Sequence, residues 1–225
     1  MQRYSDVIRL VTVAPEKSGA MEFIKKLTTQ TSIRVSIGHT AATYEQAMEA
    51  IENGATQVTH LYNAMAGLSH RKPGVVGAAA DDEHVEAEMI CDGVHIHPAT
   101  VRQTFKMFGD DRIIMISDSM EATGMPDGDY ALGGQKVIKK GHLATLEDGT
   151  IAGSATNLMD CVRVVVQKMN IPLESAVKCA AVNSAKSVGI YDQYGSITPG
   201  KTANMVLLKE KDLSTKQVIL KGKML

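Results

Sequence analysis

A strand ending that recurs along the chain constrains its fold more than any other feature. Val35-Ser36-Ile37-Gly38-His39 is a β-type run that closes on a histidine. Thr56-Gln57-Val58 leads into Thr59-His60-Leu61-Tyr62-Asn63-Ala64-Met65. Glu88-Met89-Ile90-Cys91-Asp92 is a third run with His95 just past it, and Ile113-Ile114-Met115-Ile116-Ser117 ends on Asp118. Helical patterns alternate with these runs. Thr43-Tyr44-Glu45-Gln46 is a capping box for a helix through Ala47, Met48 and Ile51 that stops at Asn53-Gly54. Pro98 opens a helix running through Val101, Phe105 and Phe108 to Gly109. Strand and helix in alternation give a parallel β/α architecture. In a parallel β/α barrel the C-terminal ends of all strands share one face, so His39, His60, His95 and Asp118 are expected at one rim.

The rest of the chain fits around that unit. Val7 to Ala14, stopped by Pro15, reads as a buried parallel strand, and Ser18 is the expected cap of a helix carrying Met21, Phe23, Ile24 and Leu27. Residues 66–83 read as a long loop. There His70, Arg71 and Lys72 form either a solvated basic turn or an anion clamp, since arginine pairs bidentately with phosphate oxygens. Between 127 and 153, short strands and glycine turns predict a small antiparallel insertion. Two amphipathic helices follow, one with Leu158, Met159, Val162, Val166 and Met169, the other starting near Pro172 with Leu173, Ala176, Val177, Ala180 and Ala181. The tail from Gly195 is turn, strand, turn and strand.

Composition narrows the function classes. The 225 residues are 44% hydrophobic and 22% charged with a net charge of −1, which argues for a globular chain and against nucleic-acid or polybasic membrane partners. No apolar run approaches the roughly 18 residues of a membrane span, and the start lacks a signal-peptide core. Cys91, Cys161 and Cys179 form no CxxC motif and cannot all pair, so reduced thiols and a cytoplasmic location are expected. Tryptophan is absent and aromatics are 4%, a poor supply for stacking bases or sugars.

The strand ends suggest the chemistry. Neutral imidazole is a common ligand for zinc and iron. His39 and His60, each closing a strand, are the best pair, although a catalytic metal usually takes about three protein ligands plus water. Asp118 is either a helix cap or a proton shuttle, and no amphipathic helix follows it at once. His95-x-His97 lies between Asp92-Gly93 and Pro98, so a loop is expected there and His97 reads as structural. The implied class is metal-assisted hydrolysis of a C–N or ester bond.

Gly38-His39-Thr40, the Thr59 to Met65 block, Asp92-Gly93-Val94-His95 and Ser117-Asp118-Ser119-Met120 together resemble the N-acetylglucosamine-6-phosphate deacetylases of the amidohydrolase superfamily. Thr150-Ile151-Ala152-Gly153-Ser154 and Gly195 to Lys201 match the same pattern. The resemblance implies an α/β fold: a partial TIM-like (β/α)8 barrel over residues 1–194, with the β insertion near 127–153. Residues 195–225 would be strands of an accessory β-sandwich domain. It implies His39 and His60 as ligands of a divalent metal ion, Zn, Fe, Co or Mn, and Asp118 as general base and acid. Asn63, Ala64, Arg71, His95, Ile151, Ala152 and Gly153 would bind substrate, with Arg71 on the phosphate and near the neighbouring site of a homodimer. The implied reaction is deacetylation of N-acetylglucosamine 6-phosphate, a small sugar phosphate. The family's barrel opens with a His-x-His strand and uses an upstream glutamate as a metal ligand. This chain has neither and so corresponds to the C-terminal part of that enzyme. A dihydroorotase-like or deaminase-like hydrolase, or a non-catalytic substrate-binding fragment, are the alternatives.

Overall fold

Five short strands form one parallel sheet: β1 (Leu10–Val13), β2 (Arg34–Ile37), β3 (Gln57–Val58), β4 (Glu86–Ile90) and β5 (Ile113–Ile116). The structure, a computed structural model, describes residues 4–225. The strands pair in sequence order, each parallel to the next. Right-handed crossovers in an order that never reverses put the connecting helices on one face of the sheet. Those helices are α1 (Ala20–Gln30), α2 (Tyr44–Glu52), α3 (Gly74–Asp81) and α4 (Pro98–Phe108).

Side chains alternate across the strands accordingly. Val35, Ile37, Val58, Ala87, Met89, Ile113 and Met115 are buried in the main core with the helices. The opposite face is polar. Thr12 and Thr59 hydroxyls lie 2.9 Å apart, Ser36 and Thr59 hydroxyls 2.6 Å apart, and Gln57 Nε2 donates to Glu88 Oε1 over 2.5 Å. This is the wall of a barrel rather than a doubly wound sheet. β1 and β5 do not pair with each other among the described residues, so the five strands do not close.

The insertion is an antiparallel sheet of β6 (Gly128–Leu132), β7 (Gln135–Lys140), β8 (Leu143–Thr145) and β9 (Ile151–Ser154), with its own small core of Met120, Ala122, Val137, Ala144 and Ala155. Next come α5 (Leu158–Met169), α6 (Leu173–Val177), a π-helical stretch Lys178–Asn183 and α7 (Ser184–Ser187). Ser187 hydrogen-bonds both Arg34 Nη1 and Gln57 Oε1 at 2.8 Å, which ties this helical run back to the sheet. The tail forms an antiparallel sheet of β10 (Met205–Leu208), β11 (Thr215–Leu220) and β12 (Lys223–Met224). Arg163 and Gln167 of α5 donate to the Leu213 and Asp212 carbonyls and hold that sheet against the helix.

Three sequence expectations are corrected. Residues 66–83 are not all loop, because α3 occupies Gly74–Asp81. Val75, Val76, Ala78 and Ala79 are all buried, so the helix lacks the polar stripe that marks a surface helix. Gly77 is needed there: a Cβ would lie 2.4 Å from Pro73 Cβ. Ser18 does not cap α1; Gly19 does, in a left-handed conformation without a side-chain bond. Leu173 and Val177 are exposed, and the buried stripe instead runs through Ala176, Cys179, Asn183 and Ala185. The wider π turn rotates the stripe away from a 3.6-residue period.

Candidate active site

The C-terminal ends of β2 and β3 bring two histidines together. Gly38 makes the approach possible, since a Cβ there would lie 2.7 Å from Thr59 Cβ and 2.9 Å from Thr12 Cγ2. His39 then turns out with φ 49 and His60 with φ 31. Their Nε2 atoms lie 2.8 Å apart, with ring centroids 4.5 Å apart and planes inclined by 72°. His60 is buried, and His39 is exposed. Burial, and then the neighbouring His39, hold His60 below the ordinary imidazole range, with its backbone hydrogen bonding and Asp118 pulling the other way. At neutral pH His60 is thus the neutral imidazole that metals bind. Its Nδ1 is buried with no hydrogen-bond partner.

Loop contacts fix this pair. Thr40 N–H donates to the Ala64 carbonyl at 3.0 Å, and Thr40 bridges to Met65. Glu16, at the end of β1, accepts from Thr40 Oγ1 at 2.5 Å and from Ala41 N–H at 3.0 Å. Its slight burial pushes the carboxyl up, but these bonds outweigh it and hold Glu16 below the usual carboxylate range. Beneath His60, the Gln57 side chain and the His60 backbone N–H both donate to Glu88. Burial prevails over them and leaves the Glu88 carboxyl above the usual range.

Asp118 sits just beyond β5, exposed and with φ 52. The insertion reaches it: Ser154 N–H donates to the Asp118 carbonyl at 3.0 Å, Met120 N–H donates to the Ser154 carbonyl at 2.9 Å, and Ser119 pairs with Ser154 in parallel. This brings the end of β9, with Ile151 exposed, Ala152 half-buried and Gly153 buried, alongside Asp118. Among the described residues, His39, His60, Tyr62, Ala64 and Asp118 make up five of the eight non-glycine residues with positive φ. Such backbone is costly and concentrates where function over-determines it.

The remaining candidates divide. Asn63 uses its amide nitrogen to clasp its own turn, donating to the His60 and Leu61 carbonyls at 3.3 and 3.2 Å. His95 lies in the loop after β4 with Nδ1 2.7 Å from Asp92 Oδ2. His97 is structural, its Nδ1 accepting the Ala99 N–H as the cap of α4. Arg71 is exposed on a tight turn where Ser69 and Lys72 pair. Glu16 and Asp92 are the participants that sequence reasoning left without a role. The signals were there, a Glu directly after the proline that ends β1 and an Asp three residues before a loop His.

A cavity of about 470 Å³ opens beside His39, lined by Glu16, Lys17, Thr40, Ala64 and Met65 among others. A second, of about 350 Å³, lies between α4 and α6 around Arg102, Asp110 and Ser175 and contains none of the candidates. Two converging imidazoles suit a divalent transition metal. Among the described residues no group of three or more His, Cys, Asp or Glu side chains gathers to complete a ligand set.

Comparison with known proteins points to one family. The amidohydrolase family model matches residues 6–225. The chain is 41% identical over 222 residues to N-acetylglucosamine-6-phosphate deacetylase of Vibrio furnissii, covering 98% of this chain and 55% of the relative. It is 38% identical to N-acetylgalactosamine-6-phosphate deacetylase of Escherichia coli O157:H7, covering 96% and 57%. Among solved structures, N-acetylglucosamine-6-phosphate deacetylase of Pasteurella multocida superposes with a TM-score of 0.93 at 31% identity, covering 99% of this chain and 58% of that one. A mutant of the Mycobacterium smegmatis enzyme, in complex with N-acetyl-D-glucosamine-6-phosphate, gives 0.90 at 38% identity, covering 96% and 57%. The chain thus spans about half the length of the curated relatives it matches. Amidohydrolases generally use a divalent metal, and the paired histidines are in keeping with that. The sheet order, the strand-end side chains and the match over residues 6–225 lead to one conclusion: the chain belongs to the amidohydrolase family.

Proposed function

We propose that this chain carries the substrate-facing half of a metal-dependent deacetylase that hydrolyses N-acetylglucosamine 6-phosphate to glucosamine 6-phosphate and acetate. The observation that carries the reading is the His39–His60 pair at 2.8 Å on the rim that also presents Asp118. Residues 1–194 would form the catalytic barrel part and residues 195–225 the accessory strands. The protein works in the cytoplasm, as its reduced buried cysteines suit.

His39 and His60 would hold the divalent ion, and Zn, Fe, Co and Mn all accept such donors. Such an ion would supply Lewis-acid polarisation of the amide carbonyl and a more acidic water. Asp118 takes the proton of the attacking water and returns it to the departing amine nitrogen, since an amide nitrogen leaves poorly as an anion. Asn63, Ala64 and the Ile151-Ala152-Gly153 backbone hold the sugar, and His95 takes a substrate hydroxyl. Arg71 binds the phosphate, and its exposure suits reaching the neighbouring site of a homodimer.

Two observations favour a second reading each. The N-acetylgalactosamine-6-phosphate deacetylase relative matches almost as well, so the 4-epimer is a rival substrate. The shortage of a third metal donor among the described residues favours a non-catalytic binding unit. Acetate release from the two 6-phosphates and from unphosphorylated N-acetylglucosamine, with metal content measured on the same sample, tests all three. The proposal expects bound metal and faster release from N-acetylglucosamine 6-phosphate. Equal rates with and without phosphate would reject it.

A further inference from the structure

Asp92 and His95 form a nearly enclosed pair in the loop after β4. The His95 side chain is 6% exposed and that of Asp92 is 0% exposed. Asp92 Oδ1 accepts two backbone bonds, from Val94 N–H at 2.8 Å and from His95 N–H at 2.9 Å. Asp92 Oδ2 faces His95 Nδ1 at 2.7 Å. Burial pushes the carboxyl up, but these bonds outweigh it and hold Asp92 below the usual carboxylate range, so it is ionised at neutral pH. An ionised carboxylate only accepts, so the hydrogen in the Oδ2–Nδ1 contact belongs to the imidazole. In the neutral ring Nε2 is then a lone pair. Among the described residues Nε2 makes no hydrogen bond, and it is not one of the buried polar atoms sealed away without a partner.

We propose that Asp92 is a positioning residue that locks His95 in the Nδ1–H tautomer and so makes Nε2 an acceptor for a hydroxyl of the bound ligand. The tautomer lock stands on the loop geometry alone; that the hydroxyl belongs to a sugar phosphate rests on the deacetylase reading. The pair discriminates by chemistry. An Nε2 lone pair accepts from an alcohol O–H and repels a carbonyl or phosphate oxygen at the same position.

The test is long-range proton–nitrogen NMR of the histidine side chains in the full 225-residue chain above pH 7, with His95 assigned through His95→Gln. Wild type is expected to show a protonated Nδ1 and a bare Nε2 at His95. In Asp92→Asn, the amide oxygen keeps the two backbone bonds and the NH2 group faces Nδ1, so the pattern should invert to a protonated Nε2. A wild-type His95 protonated on Nε2 would overturn the proposal even if Asp92→Asn failed to fold, and so would an unchanged tautomer in a folded Asp92→Asn. Titration with N-acetylglucosamine 6-phosphate should move the wild-type Nε2 signal. Binding that leaves Nε2 unmoved overturns its acceptor role. Absence of binding counts against the ligand assignment and the deacetylase reading, while the tautomer result still decides the role of Asp92.

Discussion

His39 Nε2 and His60 Nε2 face each other across 2.8 Å from the ends of adjacent parallel strands. A divalent ion held here would engage an Nε2 lone pair from each ring. Removing either imidazole should therefore weaken metal binding by about tenfold or more, the lower end of what disturbing a ligand environment costs. Calorimetric titration of His60→Ala with Zn and Mn checks this. Affinity equal to wild type would place the metal elsewhere.

Gly38 lies where a Cβ would meet Thr59 and Thr12 at under 3 Å. Both neighbours are β-branched, Thr12 on β1 beside β2 and Thr59 just past β3, so neither can move far. Gly38→Ala should destabilise the fold by roughly 1–3 kcal/mol, the range for forced overpacking. Urea unfolding would show a lower midpoint with an unchanged slope.

Asp92 predicts an acid-side signature. Its carboxyl lies below the usual range in the folded chain despite burial, through bonds from His95 and the Val94 and His95 backbone. A depressed carboxyl contributes stability above its unfolded pKa, and the contribution fades as pH falls through the folded value. The stability difference between wild type and Asp92→Asn should be constant near neutrality and shrink below about pH 4. Paired unfolding curves from pH 7 to 3 measure it, and a gap that widens on acidification would contradict the assignment.

Arg71 is exposed and forms no ion pair among the described residues, so its loss should leave the fold intact. A charge-assisted bond is worth roughly 1.5–3 kcal/mol, or about tenfold to a hundredfold in binding. Arg71→Ala should raise KM for the 6-phosphate by that order and leave unphosphorylated N-acetylglucosamine nearly unaffected. Equal losses on both substrates would remove Arg71 from the phosphate site.

The rim was legible in the sequence because three signals agreed. The capping box at Thr43 and Gln46 formed as read, Pro98 opened α4, and the apolar runs ended on His39, His60 and Asp118. What escaped was structure without a period. α3 is buried along nearly its whole length and contains two glycines, which mask a helix. The π turn at Lys178–Asn183 breaks the 3.6 rhythm by which a buried face is found. Glu16 and Asp92 act through loop backbone, as the bonds to Ala41 N–H and Val94 N–H show. Such roles depend on which loops meet, and spacing along the chain does not reveal that.

The proposed function has this rim hydrolysing the acetamido bond with Asp118 moving the proton. Asp118→Asn keeps the size of the side chain and removes its capacity to cycle a proton. Steady-state acetate release from N-acetylglucosamine 6-phosphate, by metal-loaded wild type and by Asp118→Asn, is the measurement. The account predicts release by wild type and a fall in kcat of roughly 10²–10⁴-fold in the variant, with a smaller change in KM. Near wild-type turnover in Asp118→Asn, or no acetate from a wild-type chain that binds both metal and substrate, would contradict it.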